Sequence, residues 1–297
     1  GDVIPLLQLF VSDINTFSGK TDLGLEINGT LAQPVLSGRG RLYDGTFESV
    51  ETGALFTNIA ASFIASGSEI VMENFNASDK FGGAITGSGK CTFDNELAYQ
   101  AEMKINKARF FHSDFADAVF SGAVQLSGTA QEALLKGKLE ADRVSVVIPE
   151  DLPEATYSVD VAFINRPIGE RPPQQLSKPK SEWPFKLAIE LTSGKKISIK
   201  GGDLISTWSG NLQLLGTAAA PELFGELKIH KGTYTFNGKE FAINQGTISF
   251  AGDPEKKTNL YVIASIDLDK IIAEIIVRGS PKNPTISFRS NPPLSQR

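Results

Sequence analysis

In the stretch Leu260-Tyr261-Val262-Ile263-Ala264-Ser265-Ile266-Asp267-Leu268, every second side chain is apolar and most of these are large. The same alternation is found in residues 227–230, 234–236 and 241–243, where the intervening residues are mostly polar or charged. Successive side chains of a β-strand point to opposite faces, so a period of two places the apolar set on one face. The pattern therefore predicts consecutive β-strands that share an apolar face and a polar face.

A phrase rich in glycine and apolar residues occurs four times along the chain, beginning at Gly29, Gly128, Gly216 and Gly279. The copy that starts at Gly216 contains, in order, Thr217, Pro221, Leu223, Gly225, Leu227, Ile229, Gly232, Tyr234 and Phe236. The copies are unevenly spaced, which argues against a strict solenoid period. We interpret the phrase as one supersecondary unit, with different numbers of hairpins between its copies.

The composition favours an all-β protein that does not bind nucleic acid. The 297 residues include 28 glycines and 19 phenylalanines, against 2 methionines. The formal net charge is −5 and the pI is about 5.3, and the sequence lacks the basic stripe that nucleic-acid binding requires. No run of about 18 apolar residues is present, so we expect any membrane anchor to lie outside this stretch.

We predict one elongated β domain over residues 1–297, with about 20 to 25 strands of about five to eight residues each. Stacked at about 4.8 Å, these strands would extend for roughly 100 Å. Residues 165–182 are rich in proline and charge and poor in apolar groups. This composition predicts a mobile loop, inserted after a strand at residues 156–163.

Residues 54–66 fit two kinds of secondary structure. An amphipathic helix is indicated because Leu55, Ile59 and Phe63 are four residues apart. The neighbouring strands favour another strand, although a strand puts Phe56 and Phe63 on opposite faces unless a bulge intervenes. We predict the strand.

The chain offers no convincing catalytic or metal-binding constellation. Its two histidines, His112 and His230, and its one cysteine, Cys91, are too few for a zinc site. Ser177 and Lys180 have the spacing of some acyl enzymes, but they lie in the proline-rich segment, where nothing would desolvate or orient them. We therefore predict that the protein is not an enzyme and needs no cofactor or metal.

Several segments together resemble a known family, the C-terminal domain of TamB, the translocation and assembly module protein of bacterial envelopes. The resemblance rests on residues 225–250 and 260–277, on Gly279-Ser280 followed by Pro284, and on the ending Ser290-Asn291-Pro292-Pro293-Leu294-Ser295-Gln296. Residues 106–114 and 144–153 also resemble segments of this family. The resemblance covers most of the chain, except residues 1–20 and 165–182.

The resemblance implies membership of the AsmA-like group, whose members are long, curled, U-shaped β-sheets with a hydrophobic inner groove. These proteins span the periplasm from an inner-membrane anchor. The family is associated with phospholipid transport to the outer membrane and with assembly of outer-membrane proteins beside a barrel partner of the Omp85 family. The partners implied for this chain are phospholipid acyl chains and that outer-membrane barrel protein.

The residues themselves support a curled antiparallel sheet, because a one-sided apolar sheet must cover that face and the sequence offers no amphipathic helices to do so. A closed β-sandwich stays open as the alternative. Three functions fit: a lipid conduit, which we favour, a scaffold that lends sheet edges to folding outer-membrane proteins, and a structural stalk. The residues predicted to line the groove are Leu187, Ile189, Leu191, Leu212, Leu214, Leu227, Ile229, Tyr234, Phe236, Phe241, Ile243, Ile248, Phe250, Leu260, Val262, Ile266, Ile275, Val277, Ile286 and Phe288.

Overall fold

The computed structural model describes residues 16–30, 34–50, 52–94, 96–149, 184–268 and 270–293. Its strands are β1 (Thr16–Gly29), β2 (Pro34–Glu48), β3 (Leu55–Gly67), β4 (Glu69–Asp79), β5 (Ala84–Thr92), β6 (Ala98–His112), β7 (Ala116–Thr129), β8 (Ala133–Val147), β9 (Phe185–Gly201), β10 (Leu204–Thr217), β11 (Ala220–Phe236), β12 (Lys239–Gly252), β13 (Thr258–Asp267), β14 (Ile272–Ser280) and β15 (Asn283–Asn291). No helix in this part of the chain has the length and hydrophobicity needed to cross a membrane.

All fifteen strands belong to one sheet, in which each strand pairs with the next one along the chain. β1 and β15 are its edges, and among the described strands each of them pairs on one side only, so the sheet is not closed into a barrel. Within the described ranges no second sheet packs on the first. The predicted elongated, curled all-β sheet is confirmed, and the sandwich alternative is wrong for these residues.

β8 and β9 are parallel, whereas every other pairing of the described strands is antiparallel. The register aligns Leu135 with Leu187 and Leu139 with Leu191, so apolar residues stay on one face across this junction. Adjacent parallel strands need a long connection rather than a tight turn. The predicted strand at 156–163 and the predicted mobile loop at 165–182 fall in that connection and lie outside the described residues.

The strands are fewer and longer than predicted. The described residues form fifteen strands of 9 to 17 residues, instead of about 20 to 25 short ones. Their fourteen spacings of about 4.8 Å give a straight stack of roughly 67 Å rather than 100 Å. The prediction was wrong because glycines and bulges interrupt the alternation in mid-strand without ending the strand.

Bulges bend several strands near their middle. In β3 the pairing shifts in mid-strand, where Asn58 has a φ of 52°. The extra residue returns Phe56 and Phe63 to the same face, opposite Phe47 and Gly40 respectively. This segment is thus a strand, as predicted, and the bulge removes the conflict between its two phenylalanines. Other non-glycine residues with positive φ within the described strands are Asp44, Asn74 and Lys107.

The strand ends form two lips along the sheet. The lower lip contains the turns β2–β3, β4–β5, β6–β7, β9–β10, β11–β12 and β13–β14. The upper lip contains the turns β1–β2, β3–β4, β5–β6, β7–β8, β10–β11, β12–β13 and β14–β15. The four copies of the repeated phrase each span an upper-lip turn, so they mark one kind of hairpin, as predicted.

Contacts at the lower lip join elements that are not neighbours in the sheet. Asp79 at the end of β4 accepts hydrogen bonds from two N–H groups of the β4–β5 turn and from the N–H of Arg109 in β6, at 2.8–2.9 Å. The N–H of His112, the last residue of β6, donates to the carbonyl oxygen of Thr52, just before β3, at 2.8 Å. β3 and β6 are three positions apart in the sheet, so a flat sheet would separate them by about 14 Å.

Glycines of the repeated phrase leave room on the apolar face. In three copies the second glycine, Gly38, Gly137 or Gly225, lies opposite a large apolar residue of the preceding strand. A Cβ at Gly225 would clash with the carbonyl oxygen of Asn211. The large residue opposite can therefore lie across the sheet at a point where its partner has no side chain.

Candidate functional site

The strand register aligns apolar side chains in rows that cross the sheet on one face, the inner face. Two of these rows run from strand to strand through Leu191, Leu212, Gly225 and Phe250, and through Ile243, Ala264, Ile275 and Phe288. Each member of a row belongs to a neighbouring strand. Apolar surface therefore continues along the stack of strands, as a groove requires.

Three buried clusters make up the inner face. The first joins residues of the β3 segment, β4, β6 and β7, namely Ala54, Phe56, Ile59, Ala77, Ile105, Ala108 and Val124. The second contains Ile197, Trp208, Leu227 and Ile248, and the third contains Phe241, Ile243, Ala264 and Ile275. β8 packs against the first two clusters, and Ile229 and Val262 pack against the second and third. The apolar face is therefore continuous through all three clusters.

The structure places every residue of the predicted groove lining on this inner face. In the second cluster or packed against it are Leu212, Leu227, Ile229, Ile248, Phe250, Leu260 and Val262, and in or against the third are Tyr234, Phe241, Ile243, Ile266, Ile275 and Val277. The others share this face by strand phase or pairing: Leu187, Ile189, Leu191, Leu214, Phe236, Ile286 and Phe288. Contact with a lipid at these positions stays a prediction.

The predicted lining omitted the half of the groove that β1 to β8 build. There the rings of Phe56 and Phe110 lie with centroids 5.7 Å apart, and Phe47, Ile105 and Val124 pack in the same cluster. The repeated glycine phrase was a usable signal for this half, since it occurs at both ends of it. Bulges in β2, β3, β4 and β6 shift the phase of the alternation, however, so a fixed period of two fails there.

Trp208 is the largest side chain of the groove floor that the prediction missed. It is buried, and its indole N–H donates to the hydroxyl oxygen of Ser206 at 2.9 Å. That hydroxyl in turn donates to the carbonyl oxygen of Ile199 at 3.0 Å. Gly246, two strands away, leaves space for the indole, because a Cβ there would lie 2.9 Å from the ring. Small polar neighbours on both sides of Trp208 hide its alternation in the sequence.

Both edge strands leave inner-face apolar side chains open to solvent. On β1, Leu23 is 72% exposed, and its strand neighbours Leu25 and Ile27 share its face and are also exposed. On β15, Ile286 is 55% and Phe288 61% exposed. The apolar surface thus reaches both ends of the described sheet instead of ending in a closed core.

The two lips differ in chemistry. Most of the exposed large apolar side chains outside the edge strands lie at the lower lip: Val50, Phe81, Phe111, Phe115, Val147, Ile148, Ile205, Phe236, Leu268 and Ile272. The turns of the upper lip carry charged residues such as Asp94, Glu132, Glu255 and Lys282. The lower lip thus combines exposed apolar side chains with charged residues such as Asp114 and Lys239, whereas few large apolar side chains are exposed at the upper lip.

The outer face is less uniformly polar than the alternation predicts. Ile276 points to this face, pairs with Ile263 and is buried. Elsewhere on the outer face a depression of about 800 Å³ crosses β4 to β8. Its polar lining includes Glu73, Ser88, Lys90, Gln100, Glu102, Gln125, Ser127 and Lys136. The lining of this depression is mainly polar, unlike the apolar inner face.

A charged network closes the lower end of β6, β7 and β8. Asp117 contacts Arg109 at 3.3 Å, Arg143 at 3.0 Å and His112 at 3.1 Å, and the Arg109 guanidinium lies 3.5 Å from the ring centre of Phe81. Partial burial would raise the pKa of Asp117, but the hydrogen bond from His112 and the two arginine charges hold it below its usual value. We interpret the network as structural. The described residues contain no group of three or more His, Cys, Asp or Glu side chains that could hold a metal ion.

The described strands define an all-β protein with a single open sheet whose apolar residues cluster on one face. A family model described as the TamB C-terminal domain matches residues 73–297. This chain therefore belongs to the TamB C-terminal domain family.

Two relatives show how much of a longer protein the chain represents. It is 25% identical over 187 residues to the "Translocation and assembly module subunit TamB" of Haemophilus influenzae. The aligned region covers 60% of this chain and 14% of that protein. It is 20% identical over 225 residues to an "Uncharacterized protein" of Aquifex aeolicus, which covers 73% of this chain and 19% of that protein. The chain thus spans less than a fifth of the length of either relative.

Proposed function

We propose that this chain is a non-catalytic section of a conduit that carries phospholipids between the inner and outer membranes of a bacterial envelope. The observation that carries the proposal is the continuous apolar inner face, whose apolar side chains remain exposed on both edge strands of the described sheet. Acyl chains gain free energy by leaving water for such a surface, at about 0.8 kcal/mol for each buried CH₂ group. Family membership is consistent with a place in the cell envelope.

The two lips suit an amphipathic cargo. A phospholipid that places its tails on the inner face and against the exposed apolar side chains of the lower lip would keep its headgroup beside charged residues of the lips or in water. The three buried clusters contain no charged residue, and the buried carboxylate of Asp79 lies at the lower lip, so tails can move along the stack of strands without a large barrier at any one cluster. In this proposal the chain lies in the periplasm, as part of an inner-membrane-anchored protein that reaches the outer membrane.

Site-specific photo-crosslinking tests the conduit. A photo-reactive residue at Ile266 or Ile286, on the inner face, should capture acyl chains when the protein is incubated with phospholipid vesicles. The same residue at Lys228 or Thr285, on the outer face of the same sheet, should not. Equal capture at all four positions, or none at the two inner positions, would contradict the proposal.

A second candidate function is a scaffold for the assembly of outer-membrane proteins with a barrel partner of the Omp85 family. The observation that favours it is the pair of edge strands, since each can add a further strand through its backbone. The name of the Haemophilus influenzae relative also refers to translocation and assembly. Hydrogen exchange distinguishes the two functions: an added outer-membrane strand peptide should protect β15 amides if the chain is a scaffold, and phospholipid alone should not.

A further inference from the structure

Two aromatic rings meet across the groove although three strands lie between them. Phe236 is the last residue of β11 and Phe288 lies in β15, yet their ring centroids are 6.4 Å apart. Four strand spacings in a flat sheet would separate these positions by about 19 Å. Tyr234 stacks on Phe236 with centroids 6.4 Å apart. The curl of the last five strands therefore brings aromatic rings together over the inner face.

The floor beside these rings is more buried than the rings are. The third cluster, between Tyr234 and Phe288 in the register, is only 5–7% exposed, whereas Phe236 is 43% and Phe288 61% exposed. Carbon atoms in contact are about 3.5–4.0 Å apart, so an acyl chain between two rings needs roughly 7 Å between ring planes. The observed 6.4 Å between centroids leaves no room for an acyl chain between these two rings.

Both rings are attached to backbone that can move. Phe236 precedes the two-residue turn Asn237-Gly238, in which both residues have positive φ, as a tight hairpin turn requires. Phe288 lies on β15, which pairs only with β14 among the described strands and is exposed along most of its length. Edge strands of this kind open at lower free energy than central ones.

We propose that Phe236 and Phe288 form a gate for acyl chains at the β15 end of the groove. In this structure the gate is closed, and it must part before a chain enters or leaves there. The proposal rests on the proposed conduit function and adds the step that limits transfer.

The test holds the gate closed with a covalent bridge. Phe236→Cys and Phe288→Cys are combined in a Cys91→Ser background and joined by a short bifunctional reagent that a reductant cleaves. A matched control bridges Arg278→Cys and Thr285→Cys, which pair on the outer face of the same strands. Transfer of a fluorescent phosphatidylethanolamine between donor and acceptor vesicles is measured before and after reduction.

The bridged gate should slow transfer by at least about tenfold, and reduction should restore it, while the outer-face bridge should leave the rate unchanged. The double variant Phe236→Ala with Phe288→Ala should transfer lipid about two- to tenfold faster. This factor corresponds to the interaction energy of one aromatic contact, which no longer has to be broken. Circular dichroism checks that each variant is folded.

The outcomes separate the gate from the conduit. If the unmodified chain transfers lipid and the bridged gate transfers it equally fast, or is slowed no more than the control bridge, the gate is refuted and the conduit stands. If the unmodified chain transfers no lipid, the conduit fails, and the gate falls with it. Failure of the double-alanine variant to fold leaves the bridge experiment to decide.

Discussion

Ile286→Asp tests whether the inner face of β15 is accessible to water, as the exposure of Ile286 indicates. The substitution puts a carboxylate on the inner face, beside Val277, where the native side chain is 55% exposed. Full burial of an isoleucine contributes about 2–3 kcal/mol, so roughly half of that, about 1 kcal/mol, should be lost. The carboxylate remains in contact with water and avoids the larger cost of desolvation. We therefore expect a fall in Tm of about 2–4 °C.

Ile275→Asp places the same charge on the neighbouring strand β14, in the buried floor. Ile275 is only 5% exposed and lies between Ala264 and Phe288 in its row. The variant loses nearly all of the burial energy and adds several kcal/mol for a dehydrated carboxylate. That sum is comparable with the whole stability of an ordinary domain. We expect it to detach the last strands or to unfold the sheet.

Two measurements make the comparison. Thermal unfolding is monitored by circular dichroism, and uptake of a labelled phospholipid from vesicles is measured separately. Ile286→Asp should fold but lose uptake, and Ile275→Asp should lose both. Thr285→Asp, on the outer face of the same strand and beside Arg278, is the control that should keep both. If Ile286→Asp melts as low as Ile275→Asp, the β15 end is a closed core. If it takes up lipid normally, this position is not on the lipid path.

Three further substitutions test the curl, the floor and the charged network. Gly53→Ala should lower Tm by several degrees, because Gly53 has a φ of 69° and an added Cβ would clash with the carbonyl oxygen of His112; Gly67→Ala, at a similar φ of 65° but in open space, should cost less. Trp208→Phe should cost about 1–2 kcal/mol in denaturant unfolding through the lost indole hydrogen bond, and no cost would contradict the floor geometry. Asp117→Asn should make the stability fall less steeply as the pH is lowered. The pKa of Asp117 is lowered in the folded state, so its ionised carboxylate stabilises the protein fully above about pH 5, and this stabilisation is lost as the pH falls through 3.8 and below. Urea unfolding between about pH 3 and 7 measures this, and equal pH dependence in both proteins would exclude a stabilising network.

Local pattern was sufficient for the fold class and for the inner face of β9 to β15. Their alternation has a constant phase over most of each strand, so residues such as Leu212 and Val262 could be assigned to one face from the sequence. The sequence indicated a bulge in β3 only conditionally: Phe56 and Phe63 can share a face of a strand only if a bulge lies between them. Period-two alternation is a backbone property, and it predicts a face wherever no residue is inserted.

Features that depend on several strands at once were not predictable. The contact between Phe236 and Phe288 results from the summed twist and bending of five strands, and no spacing in the sequence encodes that sum. The parallel pairing of β8 with β9 is a choice between distant segments, which local alternation does not record. The burial of Ile276 on the outer face likewise depends on Ile263 of the neighbouring strand.

The burial pattern also constrains how a conduit of this kind would hold its cargo. The floor residues are already covered by their neighbours, at 5–9% exposure for residues such as Leu227, Ile248 and Ile275. An acyl chain therefore gains little by contact with the floor and must gain most from exposed residues such as Leu23 and Phe288. Binding spread over such partly exposed positions is weak at each one. Weak binding at successive sites is what movement along a path requires, because a site that binds tightly would retain the lipid instead of passing it on.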